Sequence, residues 1–257
     1  MNKNKVSLKM VQYELRNVAG NPFVHIFGIA FPILMSIIII KAMASDISST
    51  TYLGEVVTSI FLGFGTIIPM ATILMGYSCT LSQDIEKDIP LRMKLFGFSE
   101  KITIINRLIA EFIYMTIAFT IFFLVGCIVL GISEPVFLGA IIYFGCLYIF
   151  AAILFILAHA IANLVKKFGL TYMISMLIYF GMMIFSGMMG ISADKLPRSM
   201  QVISDLLPTT YFNRDFYGVW IGKAYDFVPM IQSYIFLCAI AGILTFVMVF
   251  KSKRTLH

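Results

Sequence analysis

Six long apolar runs constrain this chain more than any other feature of its sequence. A helix needs roughly 20 apolar residues to cross a hydrocarbon core about 30 Å thick, and each run is close to that length or longer. The runs cover residues 22–40, 56–78, 106–130, 136–165, 168–190 and 227–250. Apolar residues make up 60% of the chain, more than a soluble domain carries. We therefore predict an all-α membrane protein, with six transmembrane helices in one domain over residues 1–257.

The lysine and arginine residues predict the orientation of these helices. Cytoplasmic loops carry an excess of both residues. If both termini are cytoplasmic, 14 of the 19 basic residues lie on that side. We expect a multi-pass bacterial plasma-membrane protein of this topology, in which the first run stays as an anchor because no cleavage site follows it. The net charge of +6 follows from this topology and does not indicate nucleic-acid binding.

Motifs for metal binding, catalysis and nucleotide binding are missing from the sequence. The four cysteines are scattered, without a CxxC pair. His25 and His159 have no carboxylate at ligand spacing, so we expect no metal site. The sequence has neither HExxH nor GxxxxGK[ST]. The chain is therefore not expected to be an enzyme or to hold ATP phosphates itself.

The amino-terminal segment, residues 1–20, is amphipathic at helical spacing. Its apolar residues recur three and four apart, at Leu8, Val11, Leu15 and Val18. Gly20 and Pro22 then predict a helix end and a new helix start. This helix is expected to lie on the cytoplasmic membrane surface, either alone or in contact with a soluble subunit.

The loop over residues 79–105 joins the second and third runs and predicts a short helix of its own. Asp88 and Pro90 are start signals, Gly97 is a stop signal, and Ser99 precedes the next helix. The predicted helix, residues 89–96, combines apolar and basic side chains, namely Leu91, Leu95, Phe96, Arg92 and Lys94. Apolar anchors ringed by charge suit a pocket on another protein, and a solvated turn is the alternative.

The outer segment, residues 191–226, is too polar to span the membrane. Asp194 and Pro197 predict the start of a helix, and Pro208 predicts its end. Interfacial aromatic residues follow, namely Tyr211, Phe212, Phe216, Tyr217 and Trp220. We predict two short re-entrant helices before the last span, covering a path or gate.

Arg107 and Glu111 are spaced four residues apart near the cytoplasmic end of the third run. This spacing predicts an ion pair on one helix face. A structural role is the simpler interpretation, and proton coupling is the alternative.

In this order, the features resemble the type 2 ABC exporter permeases along essentially the whole chain. The residues that stand where that family has its SG, LP and PLTY-like motifs are Ser186, Gly187, Leu196, Pro197, Pro208 and Tyr211. The acidic residues Asp84, Glu86 and Asp88 resemble the motif that precedes the family's coupling helix.

The resemblance implies that residues 89–96 are a coupling helix that docks on a separate ABC ATP-binding subunit. The implied coupling residues are Asp84, Glu86, Asp88, Leu91, Arg92, Lys94, Leu95 and Phe96. It also implies two permeases, identical or different, paired mainly through the first and fifth spans within membrane lipid. Two ATP-binding subunits would hold ATP and Mg²⁺, and this chain would carry no cofactor.

A substrate path or gate is expected near the outer end of the fifth span. Its candidate residues are Met75, Met183, Phe185, Ser186, Gly187, Met188, Leu196, Pro197, Pro208 and Tyr211. Methionines can adapt to varied apolar guests, although they also serve simply as core or lipid-facing residues. We expect a hydrophobic or amphipathic substrate, such as a peptide, an antimicrobial drug or a lipid-like molecule. The alternatives are a lipid-linked glycan exporter and a non-transporting immunity or scaffold protein.

Overall fold

The computed structural model describes residues 6–44, 50–189 and 195–254, and over those ranges it contains helices and no strand. The predicted all-α class is confirmed. Gly190 and Asp194, predicted as a span end and a helix start, lie outside the described residues, as do residues 1–5 of the amphipathic segment.

Six helical segments among the described residues are long and apolar enough to cross a membrane, which confirms the predicted number. They are Pro22–Ala42, Gly54–Glu86, Glu100–Leu130, Phe137–Val165, Phe168–Phe185 and Val228–Lys251. We call them the first to sixth spans.

The helices are numbered in chain order. The first two spans and the helix before them contain α1 (Leu8–Ala19), α2 (Pro22–His25), α3 (Phe31–Ala44), α4 (Thr50–Gly65), α5 (Ile67–Pro69) and α6 (Ser78–Glu86). The loop helix and the next three spans are α7 (Ile89–Leu95), α8 (Glu100–Val125), α9 (Phe137–Val165) and α10 (Phe168–Phe185). The outer helices and the last span are α11 (Arg198–Asp205), α12 (Pro208–Arg214), α13 (Phe216–Trp220) and α14 (Val228–Arg254). Wider π-helical stretches occur at Ile26–Ala30, Met70–Tyr77 and Gly126–Leu130.

The second span forms the centre of the bundle. In its most apolar stretch 83% of the residues are buried, against at most 44% in any other span. Its helix tightens at Thr66, whose N–H donates to Gly63 O (3.1 Å) and leaves the carbonyl of Leu62 free. The hydroxyl of Tyr143 donates to that carbonyl at 2.7 Å, and Gly65 leaves the space in which the tyrosine ring lies. The break in the second span is thereby closed by the fourth span, as a buried carbonyl requires.

The outer segment contains three short helices among its described residues, α11, α12 and α13, where two were predicted. Helix α11 ends at Asp205, and Pro208 begins α12 instead of ending the preceding helix. A proline fits the first turn of a helix because the N–H that it lacks has no intrahelical acceptor there.

Candidate functional site

Helix α7 contains no buried residue. Its start is set by the backbone, since Asp88 adopts a left-handed conformation (φ 55°) and its side chain makes no capping hydrogen bond. Asp88 thus precedes the helix where a start was predicted, and aspartate is one of the few residues that tolerate this backbone geometry. Pro90 lies in the first turn, as predicted.

The carboxyl end of α7 is closed by a Schellman motif. Gly97 has a φ of 82°. Its N–H donates to Lys94 O at 2.9 Å, and the N–H of Phe98 donates to Met93 O at 3.0 Å. The predicted stop at Gly97 is confirmed, and α7 is a short helix with a defined end.

The apolar side chains of this helix face outward. Leu91 is 56% exposed, Leu95 79% and Phe96 69%. The basic residues Arg92 and Lys94 are exposed beside them, and Arg92 donates to the carbonyl of Lys87 at 2.8 Å. A contiguous exposed apolar surface with a charged rim is typical of an interaction site.

The three acidic residues before α7 do not form one cluster. Asp84 is buried and pairs with Arg107 of the third span. Glu86 accepts a hydrogen bond from the backbone N–H of Phe168, at the start of the fifth span, at 3.0 Å. Asp88 lies exposed in the turn before α7. Each carboxylate therefore has a different environment.

A buried ion triad joins α1, the second span and the third span. Arg107 pairs with Asp84, and its Nε lies 3.3 Å from Glu14 Oε2. All three residues are at most 9% exposed. Burial raises the pKa of Glu14, and the neighbouring guanidinium opposes that rise. Removing one member of such a triad leaves an uncompensated buried charge, so the three elements are held to one another.

The predicted Arg107–Glu111 ion pair is wrong in its partner. Within the described residues Arg107 pairs with Glu14 and Asp84, whereas Glu111 is 3% exposed and its Oε2 has no hydrogen-bond partner. A cation that precedes its carboxylate along a helix is the weaker order of such a pair. The guanidinium pairs instead with carboxylates of α1 and α6, which pack beside the third span.

Glu14 is a site residue that sequence reasoning missed, although a signal was present. It falls between Val11 and Val18 at helical spacing, on the apolar stripe of α1. A carboxylate on a face that becomes buried needs a cationic partner.

The two histidines of the spans bind tyrosines. His25 Nδ1 lies 2.8 Å from the hydroxyl of Tyr114, and its Nε2 lies 2.7 Å from the carbonyl of Ala19. A carbonyl can only accept, so Nε2 carries a hydrogen and donates it to Ala19 O. His159 Nδ1 lies 2.8 Å from the hydroxyl of Tyr77. Within the described residues no group of three or more His, Cys, Asp or Glu could hold a metal ion.

Ser186 and Gly187 form the same helix end as the one that closes α7. Gly187 has a φ of 79°, its N–H donates to Ile184 O (3.2 Å), and the N–H of Met188 donates to Met183 O (3.2 Å). The buried hydroxyl of Ser186 donates to the carbonyl of Met182. The serine and glycine therefore end the fifth span sharply.

Asn213 of α12 connects this helix end to the second span. The side-chain amide nitrogen of Asn213 donates to Ser186 O at 3.0 Å. The backbone carbonyl of Asn213 accepts a hydrogen bond from the hydroxyl of Ser59 at 2.9 Å. A Cβ at Gly63 would lie 2.4 Å from Asn213 Oδ1, so only glycine permits this approach. We call the contacts of Ser59, Ser186 and Asn213 the outer clamp.

The remaining outer candidates lie around this clamp. Tyr211 is buried, and its hydroxyl donates to Asp205 O at 2.8 Å. Pro208 is buried in the first turn of α12. Leu196 is half-buried and Pro197 is exposed at the start of α11.

The path candidates from the second and fifth spans are packed residues in the single chain. Met75, Met183 and Met188 belong to the hydrophobic core, each at most 2% exposed. Phe185 is half-buried at the last turn of α10.

Comparison with known proteins identifies the family of this chain. No curated protein and no solved structure matches the chain. The family model described as ABC-2 type transporter matches residues 8–221, from α1 through α13. That range includes the first five spans, the α7 loop and the outer helices. The chain therefore belongs to the ABC-2 type transporters, as a transmembrane permease subunit that requires a separate ABC ATP-binding partner.

Proposed function

We propose that this permease serves an ATP-driven exporter, and that α7 is the helix on which the ATP-binding subunit docks. The observation that carries the proposal is the exposure of Leu91 and Leu95 on a helix with no buried residue. A groove on the partner would cover them, while Arg92 and Lys94 lie at the rim. ATP and Mg²⁺ would be bound by that partner.

The ion triad supports a route from the docking helix into the bundle. Helix α7 follows α6 directly, and α6 carries Asp84, which pairs with Arg107 of the third span. Glu14 adds α1 to the same group. A displacement of α7 by the closing ATP-binding subunits would therefore move α1, the second span and the third span together.

At the opposite end, the outer clamp is our candidate gate. It connects the outer end of the fifth span to the second span through two hydrogen bonds, which a movement of either span would strain. Opening of this contact would release substrate on the outer side. Export follows only if the substrate binds the two arrangements with different affinity.

We further propose two permeases and two ATP-binding subunits, with both termini cytoplasmic. Only 28% of the most apolar stretch of the first and of the fifth span is buried within the chain, so both have surface available for pairing; the sixth span, at 22%, has as much. A hydrophobic or amphipathic substrate, such as a peptide, drug or lipid-like molecule, fits spans that carry few charged groups.

The test is ATP hydrolysis by the full chain, co-expressed with a candidate ATP-binding subunit and reconstituted in lipid. We expect copurification and stimulation of hydrolysis by amphipathic peptides or lipophilic drugs. Leu95→Asp should abolish the stimulation, because it introduces a charge into the docked surface. Lys101→Gln changes the charge by the same amount at an exposed position of the first turn of α8, and should keep it.

Two results would reject parts of this proposal. Full stimulation in Leu95→Asp would remove α7 as the docking helix. Failure to recruit any ATP-binding subunit would favour a non-transporting role, and stimulation by lipid-linked glycans alone would change the substrate class.

A further inference from the structure

An apolar groove of about 480 Å³ opens between the third and fourth spans. Its walls are aromatic rings, with the Phe123 and Phe144 centroids 5.1 Å apart and those of Phe119 and Phe144 5.7 Å apart. Leu124 and Cys127 are exposed along its rim. The proposed pairing of permeases uses the first and fifth spans, so the groove would stay open to the bilayer. Its volume lies in the range of about 300–1,000 Å³ that small-molecule pockets occupy.

The hydroxyl groups of the groove leave no hydrogen for a ligand. Thr116 Oγ1 donates to the carbonyl of Phe112 at 2.7 Å, so the hydroxyl of Tyr148, 2.5 Å away, is the donor to Thr116. Thr120 donates to the carbonyl of Thr116 at 2.8 Å. No charged side chain lines the groove. A phosphate or carboxylate would therefore find no hydroxyl or cationic donor here and only the weak donor of the Cys127 thiol, whereas an acyl chain has no hydrogen bond to lose on entering.

The groove is as long as one leaflet is thick, and it lies along one half of the third span. Its lining residues on the third span run from Thr116 to Cys127, which is about 16 Å along a helix axis. Half of a hydrocarbon core about 30 Å thick is about 15 Å. The third span begins beside α7 and ends at Leu130, so this stretch occupies the half of the span farther from α7.

We propose that the groove binds one acyl chain of a lipid from the leaflet opposite α7. The chain would lie along the third span against Phe119 and Phe123, with Leu124 beside it at the rim. The inference depends on the membrane location of the chain and is independent of the exported substrate.

The single tryptophan of the protein gives a direct readout. Trp220 stacks on Phe123, with ring centroids 5.7 Å apart, and its indole N–H donates to the carbonyl of Ser133 at 2.7 Å. Only the ring of Phe123 therefore separates the indole from the groove. Bromine atoms on an acyl chain in the groove would quench its fluorescence by proximity.

The experiment reconstitutes the full chain alone in phosphatidylcholine vesicles that contain a rising fraction of lipid brominated on one acyl chain. We expect quenching that saturates at a low fraction of brominated lipid, as binding at a site requires. Thr120→Phe fills the groove and should remove most of the quenching. Leu124→Phe is a second filling variant, at the rim.

The matched control is Ile121→Phe, an exposed residue of the same helix that does not line the groove, and it should quench like the parent chain. Emission spectra in unbrominated lipid show whether each variant keeps the surroundings of Trp220. Unchanged quenching in both filling variants, or quenching merely proportional to the brominated fraction, would overturn the proposal.

Discussion

Helices α7 and α12 are alike in length and opposite in environment. Each has seven residues and a proline in its first turn, yet α7 has no buried residue while five residues of α12 are buried. The exposed helix is the more apolar of the two, since IPLRMKL has fewer polar residues than PTTYFNR. The chain thus buries the more polar helix by itself and leaves the more apolar one uncovered. Contacts within the permease therefore cover α12, whereas the surface of α7 is left for the ATP-binding subunit that we propose docks there.

The difference in burial between α7 and α12 can be measured by truncating one apolar side chain in each helix. Phe212 of α12 is fully buried and stacks on Phe216, with centroids 4.6 Å apart. Phe212→Ala should lower the free energy of unfolding by about 3–5 kcal/mol. Leu95→Ala should change it by less than about 0.5 kcal/mol, as exposed positions do. Thermal unfolding of the purified permease measures both, and equal losses would contradict the comparison.

A second comparison removes one cation from the buried triad and one from the exposed helix α7. Arg107→Met leaves the carboxylates of Glu14 and Asp84 buried without their partner, which should cost about 3–5 kcal/mol where both stay charged. Lys94→Met on α7 removes an exposed charge and should cost less than about 0.5 kcal/mol.

A rescue variant distinguishes the loss of charge balance from the loss of packing. Combining Arg107→Met with Glu14→Gln and Asp84→Asn removes all three charges of the triad, so the free energy of unfolding should recover most of the loss. No recovery would mean that the triad acts through its shape alone.

The close approach of α12 to the second span depends on the absence of a side chain at Gly63. Gly63→Ala adds a Cβ that would lie 2.4 Å from Asn213 Oδ1, and the resulting displacement of the outer clamp should cost about 1–3 kcal/mol. Gly145→Ala is the control, because a Cβ there meets nothing within 4 Å. Equal stability of the two variants would show that α12 moves away without cost.

A weaker effect should be a pH dependence of stability that arises at Glu14 of α1. Burial raises the pKa of Glu14 above its ordinary 4.5. The folded protein therefore holds this proton more tightly than the unfolded chain, and the stability gained is complete below pH 4.5 and lost as the pH rises through the raised value. Unfolding between about pH 5 and about pH 8 should show a larger gain on acidification in the parent chain than in Glu14→Gln. Identical profiles would mean that Arg107 cancels the effect of burial.

Much of the fold follows from local signals in the sequence. Apolar runs predict the six spans because hydrocarbon thickness sets their length. Gly97 predicts the end of α7 because the backbone there requires a positive φ. Pro90 lies in a first turn, as predicted, whereas Pro208, predicted to end a helix, begins one, since a missing N–H is tolerated in a first turn.

Partner choice between distant elements could not be predicted in the same way. Helical spacing paired Arg107 with Glu111, but the guanidinium binds carboxylates of α1 and α6, which only the packed bundle brings together. The link from Asn213 to Ser59 and Ser186 depends likewise on a close approach at Gly63. Such contacts join residues far apart in sequence, and a single sequence carries no record of them.

The π-helical stretch Met70–Tyr77 has a consequence for how the second span tolerates insertions and deletions. Its hydrogen bonds skip one more residue than those of an α-helix, so each of its turns accommodates an extra residue. A deletion of one residue within this stretch would let the turn narrow to α-helix while α6 kept its facing and Asp84 still met Arg107. The same deletion within α6 would rotate all that follows by about 100°. A one-residue deletion in this stretch would therefore remove a buried side chain yet preserve the direction in which α6 faces.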